Sequence, residues 1–192
     1  MKIFRFVLSV LILAAAVYPQ TQSLGMGAFA SENGAILLTI DAGLVNRKID
    51  SPYVMFFAFM GAKDQSQSLS VAAKDVVMVY KGKEYSLPTV KDLRENYKGG
   101  IRDLDLYERL GKEGVIASWM RMYDFPDDAN YFPVLGRGID MATNIGHMFG
   151  HYGFQTPLYF KNPGFAKGDT LTIKVKDARN AQLTGECEIV LD

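Results

Sequence analysis

The sequence has a single cysteine, Cys187, so the chain cannot close an internal disulfide. This absence excludes the small disulfide-stapled scaffolds and leaves the hydrophobic core to hold the fold together. Cys187 alternates with Ile189 and Leu191, which places the three side chains on one face of a strand. We therefore expect a small buried core residue, the alternative being a reactive or intermolecular thiol.

An excess of charge of one sign is also lacking, since 21 Lys and Arg residues balance 21 Asp and Glu residues. Binding to nucleic acid requires a concentrated patch of basic side chains, and the sequence has none. Low-complexity tracts, internal repeats and long Pro- or Ser-rich linkers are missing as well, which favours one domain.

Signature motifs of enzymes are missing too. Ser86 and Ser118 have no Gly-x-Ser-x-Gly setting, and residues 136–138 (Gly-Arg-Gly) lack the third glycine of a dinucleotide loop. Asp103 and Asp105 fit the first turn of a helix better than a catalytic carboxylate pair. Active sites can also be assembled from distant residues, but these absences favour a protein that is not an enzyme and has no cofactor.

The amino-terminal segment has the order of a secretory signal peptide. Lys2 and Arg5 precede an apolar run over residues 6–17, and Ala28-Phe29-Ala30 offers a small-x-small cleavage site before Ser31. The run is shorter than the roughly 20 residues of a permanent membrane helix. We therefore predict a signal peptide over residues 1–30 and one exported domain over residues 31–192, periplasmic or extracellular, with no stable membrane span. A retained anchor is the alternative.

The rest of the chain is rich in strand signals. Residues 53–60 are apolar on both faces, as in a strand covered on both sides. Leu171, Ile173 and Val175 alternate with polar residues and so share one face of a strand. The pattern over residues 126–153 predicts neither helix nor strand. The predicted strands cover residues 35–40, 53–60, 69–73, 75–80, 84–87, 114–125, 154–160, 170–176 and 183–191.

A short helical segment interrupts these strands. Thr89 and Asp92 are spaced like a helix N-cap with an acidic first turn, Gly99-Gly100 ends that helix, and Asp103 begins another. Together, the predicted strands and this helical segment indicate a mainly β fold, an antiparallel β-sandwich with a helical insertion near residues 89–111.

The end of the chain carries a resemblance to a known class of domains. The sequence GDTLTIKVKD over residues 168–177, followed by LTGE over residues 183–186, resembles the closing hairpin of bacterial immunoglobulin-like domains. The strand at 53–60 and the hairpin over residues 75–87 are similar to secreted sandwich modules of uncharacterised function. The resemblance implies an immunoglobulin-like sandwich and no catalytic residues; the helical insertion departs from the minimal domain.

The two histidines of the chain, His147 and His151, are four residues apart. This spacing places them on one face of a helix or strand, as two metal ligands require, and Asp140 is the nearest acid that could be a third ligand. The glycines around them favour a loop instead. We expect two solvent-facing or hydrogen-bonded histidines, with a metal-binding protein or metal-dependent enzyme as the alternative.

Aromatic residues are concentrated between residues 119 and 154. Exposed on a sandwich face, they could stack on sugar rings or bind a partner; buried, they need no such role. The candidate ligand-binding residues are Trp119, Tyr123, Tyr131 and Tyr152. The sequence as a whole favours an exported, non-enzymatic β-sandwich that binds a protein or surface ligand or has a structural role, with metal binding or carbohydrate binding as alternatives.

The alternation in the closing hairpin can be tested by two neighbouring substitutions. We expect Ile173→Ala to lower the free energy of unfolding by about 2–5 kcal/mol, because it removes a large buried side chain. Lys174→Ala, on the opposite face, should change it by less than about 0.5 kcal/mol. Urea unfolding of both variants measures the difference, and equal effects would contradict the alternation.

Overall fold

The computed structural model describes residues 21–97, 100–109, 116, 118–133 and 141–192. In order along the chain, the strands are β1 (Gln22–Gly25), β2 (Ala28–Ser31), β3 (Ile36–Asp41), β4 (Tyr53–Ala62), β5 (Ser68–Tyr80), β6 (Lys83–Ser86), β7 (Ala129–Asn130), β8 (Met141–Ala142), β9 (Ile145–Phe149), β10 (Phe154–Lys161), β11 (Thr170–Asp177) and β12 (Thr184–Val190). The helices are α1 (Gly43–Arg47), α2 (Val90–Asn96) and α3 (Gly100–Arg109).

Two antiparallel sheets form a sandwich around a shared hydrophobic core. The first sheet has the order β1-β2-β3-β4-β10, and the second has the order β12-β11-β5-β6, with β9 also paired to β5. A short parallel pair, β7 and β8, forms a separate two-stranded sheet. The predicted fold class, a mainly β antiparallel sandwich with a helical insertion, is confirmed.

The closing hairpin has the predicted alternation. Strands β11 and β12 pair antiparallel, with Ile173 opposite Cys187, and both side chains are fully buried. Lys174, on the other face, is exposed and pairs with Glu186. Burial raises the pKa of the Cys187 thiol to about 12, so the thiol stays protonated at neutral pH. Cys187 is therefore the core residue that its position in the strand predicts.

Strand β4 is buried on both faces. Phe56 lies on the face toward the second sheet and has no exposed surface. Phe57 and Phe59 lie on the opposite face, where Phe57 stacks on Tyr107 of α3 with ring centroids 4.6 Å apart. The ring of Phe125 packs edge-on against the ring of Phe59, with centroids 5.2 Å apart. The helical insertion and the segment that follows it therefore cover the outer face of the first sheet.

Polar contacts attach α3 to the sandwich. Asp103, only 2% exposed, forms an ion pair with Lys48 just after α1. The same carboxylate accepts a hydrogen bond from the Tyr97 hydroxyl at 2.7 Å. The predicted cap of the preceding helix is also present, because the Asp92 backbone N–H donates to the Thr89 hydroxyl at 3.0 Å.

Two expectations about strands are corrected. The strand predicted over residues 114–125 is wrong where the chain is described, because residues 116, 118 and 119 are helical and the Met120 N–H donates to the Ile116 carbonyl. The bulky residues of this segment are spaced closely enough to satisfy either pattern. The two strands predicted at 69–73 and 75–80 form the single strand β5.

The predicted cleavage position lies inside the fold. Residues 28–31 form β2, whose four residues are all buried and paired with β3. Residues 1–20 of the predicted signal peptide lie outside the described residues. Among the residues that are described, no helix has the length and apolar composition that crossing a membrane requires.

Asp177, at the end of β11, lies where the pairing between β11 and β5 shifts register. Its buried carboxylate accepts backbone hydrogen bonds from Ser70 at 2.7 Å, Asn180 at 2.8 Å and Arg179 at 3.0 Å. Burial alone would raise the pKa of Asp177, but these donors hold it below its ordinary value. The ionised carboxylate therefore stabilises the native state.

We expect Asp177→Asn to lower the free energy of unfolding at pH 7 by about 1.5–3 kcal/mol. The reason is that the amide is uncharged and has one acceptor oxygen, whereas the carboxylate has two for the three N–H donors. Because the folded pKa is depressed, this contribution is present above the unfolded value of about 4 and is lost as pH falls below it. The difference in unfolding free energy between the variant and the wild type should therefore narrow as the pH falls below about 4. Asp127→Asn, at an exposed carboxylate, is the control. A gap that does not depend on pH would contradict the charge-based explanation.

Candidate functional site

A tight turn between β9 and β10 presents aromatic side chains to solvent. Residues of β9 alternate, so that Ile145, His147 and Phe149 are exposed and the residues between them are buried. Phe149 and Tyr152 exchange two backbone hydrogen bonds, at 2.9 and 3.0 Å, around a two-residue turn. Gly150 occupies that turn with a φ of +60°, which glycine adopts without strain.

We call Phe149, His151 and Tyr152 the turn patch. The side chain of Phe149 is 61% exposed and that of Tyr152 is 49% exposed. The imidazole of His151 lies 4.1 Å from the Tyr152 ring, measured between centroids. Large apolar side chains exposed together on a short turn are a feature of contact surfaces.

Asp124 contacts the turn patch from the segment that follows the helical insertion. Its backbone N–H donates to the His151 carbonyl, and its carbonyl accepts from the Gly153 N–H, both at 2.8 Å. The Asp124 carboxylate lies 3.5 Å from His151 Nε2, with both side chains exposed. An exposed pair of this kind contributes at most about 1 kcal/mol to stability, so its groups stay available to a ligand.

The four aromatic candidates from the sequence fall into two groups. Tyr131 is 3% exposed, and its hydroxyl donates to the Val71 carbonyl at 2.7 Å. Tyr123 is half-buried, and its hydroxyl donates to the Ala62 carbonyl at 2.6 Å. Tyr131 is therefore corrected to a core residue, and Tyr123 is a weaker candidate because it is only partly exposed and its hydroxyl bonds within the fold.

Trp119 and Tyr152 remain as candidates, with exposures of 37% and 49%. Phe149, the most exposed aromatic of the turn, was not among the predicted ligand-binding residues. The Gly-His pair that follows Phe149 is a turn signal, but residues 145–149 do not alternate between apolar and polar side chains, so the sequence does not show that Phe149 is exposed.

The two histidines do not share a strand face. His147 lies within β9, opposite Ser70 of β5, whereas His151 lies in the turn where the chain reverses. Asp140, the third ligand of the metal hypothesis, lies outside the described residues. Within those residues, no group of three or more His, Cys, Asp or Glu side chains is placed to hold a metal ion. His151 and Asp124 alone would supply two ligands, fewer than a stable zinc site uses.

A second surface feature is a shallow groove of about 350 Å³ on the outer face of the second sheet. Its charges pair across strands: Lys174 lies 3.6 Å from Glu186, and Lys176 lies 3.3 Å from Asp75. Because opposite charges pair within the groove, it attracts neither cations nor anions strongly. The turn patch is the stronger candidate.

A comparison with protein-family models found no match, and comparisons with curated proteins and with solved structures found none either. The resemblance to immunoglobulin-like modules therefore stays a prediction. Function has to be argued from the turn patch itself.

The metal-binding alternative can be tested by the effect of zinc on the melting temperature. A metal that binds only the native state raises the melting temperature, so a real site would respond to zinc. We expect equimolar zinc to change the melting temperature of the wild type by less than about one degree. The melting temperature of the double variant His147→Ala/His151→Ala should respond to zinc equally little. A rise of several degrees that the double variant abolishes would establish the metal site.

Proposed function

We propose that this chain is an exported, non-enzymatic β-sandwich that acts as a binding module at the cell envelope or outside the cell, and that the turn patch contacts a protein partner. The observation that carries the proposal is the exposure of Phe149 and Tyr152 on either side of one turn. Aromatic side chains supply large contact areas and are enriched at the centres of protein interfaces.

The base of the turn patch is closely packed and hydrogen-bonded. Phe154, two residues after Tyr152, packs so closely on Gly146 that a Cβ there would lie 2.2 Å from its ring. Asp124 adds two backbone hydrogen bonds from the other side. A surface that is already ordered before binding loses little conformational entropy when a partner binds, which favours affinity.

Export is proposed from the sequence of the amino terminus. Lys2 and Arg5 followed by the apolar run over residues 6–17 have the order of a secretory leader. An oxidising compartment is compatible with this chain, because it has only one cysteine and that cysteine is buried.

Carbohydrate binding is the second candidate. The observation that favours it is the position of the Asp124 carboxylate and the His151 imidazole beside the exposed ring of Tyr152. A sugar could stack on the ring while its hydroxyls bond to the two polar groups. This arrangement also suits a protein partner, so the experiment has to identify the ligand chemically.

The test is photo-crosslinking from the turn patch in intact cells. A photo-reactive amino acid replaces Phe149 in one strain and Val190 in another; Val190 is the matched control because it is also apolar and is 41% exposed, on β12. We expect a discrete adduct from position 149 and none from position 190. Adding Tyr152→Ser to the first strain should reduce the adduct several-fold.

Mass spectrometry of the adduct then decides between the two candidates. A crosslinked peptide from another protein supports the proposal, whereas a saccharide at position 149 would replace it with carbohydrate binding. The same adducts from both positions, or none from either, would contradict a specific surface at the turn.

A further inference from the structure

The first two strands are an integral part of the sandwich. Ala28, Phe29, Ala30 and Ser31 are all buried, and β2 pairs with β1 on one side and with β3 on the other. The bond between Ala30 and Ser31 therefore joins two buried residues of β2, both of which pair with β3. A segment that is removed before folding would not be expected to complete a sheet.

Phe29 contributes to the interior of the sandwich. It lies directly opposite Ile40 in the β2–β3 pair, and residues that are directly opposite share a face. Ile40 has no exposed surface, so Phe29 lies on the same core-facing side. Removing residues up to Ala30 would take this side chain out of the core and leave Ile40 without its cross-strand neighbour on the β2 side.

Contacts with the body of the fold begin as early as Thr21. Its hydroxyl accepts a hydrogen bond from the Glu188 N–H of β12 at 2.8 Å. The carbonyl of Gly27, in the loop between β1 and β2, accepts from the Ala42 N–H at 2.8 Å. The segment from Thr21 to Ala30 thus contacts two other regions of the sandwich.

We propose that the leader is cut after Ala16, so that the exported chain begins at Val17 and keeps β1 and β2. Ala14-Ala15-Ala16 supplies small residues at both positions that the small-x-small pattern requires. The apolar stretch before it, residues 6–13, has a length within the range of about 7–15 residues typical of a secretory leader. Residues 17–20 then precede the first described residue. The inference rests on the proposed export.

The test is the amino terminus of the exported chain. The full-length gene is expressed in a secretion-competent bacterial host, and the chain outside the cytoplasm is analysed by intact mass and amino-terminal sequencing. A start at Val17 supports the inference. A start at Ser31 would overturn it while leaving export intact, and an exported chain that keeps Met1 would also overturn it. A chain found only in the cytoplasm would overturn the proposed export itself.

Two neighbouring substitutions sharpen the result, and both lie in the proposed leader, which the exported chain would lack. Ala16→Leu places a large residue at the position next to the cut and should abolish the Val17 product. Ala15→Leu changes the unconstrained middle position and should leave the Val17 product unchanged. Normal processing of Ala16→Leu to Val17, or equal loss of processing in both variants, would contradict cleavage at this site.

Discussion

Strand β4 carries large apolar side chains on both faces, and the rest of the structure is arranged to keep water from both of them. The second sheet covers the face of Phe56, and Tyr107 and Phe125 cover Phe57 and Phe59. Burying each of these side chains contributes about 1.5–3 kcal/mol. The helical insertion is therefore the third layer of the fold, attached through the buried carboxylate of Asp103.

The turn patch depends on the same layer. The segment that places Phe125 against Phe59 also places Asp124 against the turn, where its backbone bonds to His151 and Gly153. A substitution that loosened the cover of β4 would thus be expected to loosen the turn as well. The exposed aromatics project from a surface whose base belongs to the interior, which gives the turn patch a defined shape.

The amino-terminal segment illustrates a limit of sequence patterns. Ala28-Phe29-Ala30 satisfies the small-x-small rule of a cleavage site, and it also suits a strand that packs tightly between two neighbours. Small side chains are required in both cases, so the pattern cannot distinguish them. The pairing of β2 with both neighbours favours the strand.

The sequence by itself determined the elements whose pattern is local. The alternation of β11 and β12, the two-faced apolar run of β4 and the cap at Thr89 each follow from residues only a few positions apart. Only the tertiary structure decided which aromatics are exposed. Tyr131 and Phe149 come from one glycine- and aromatic-rich region, yet the first is buried between strands and the second projects into solvent. The physical reason is that burial depends on what packs against a side chain, and Tyr131 meets Val71, 60 positions away along the chain.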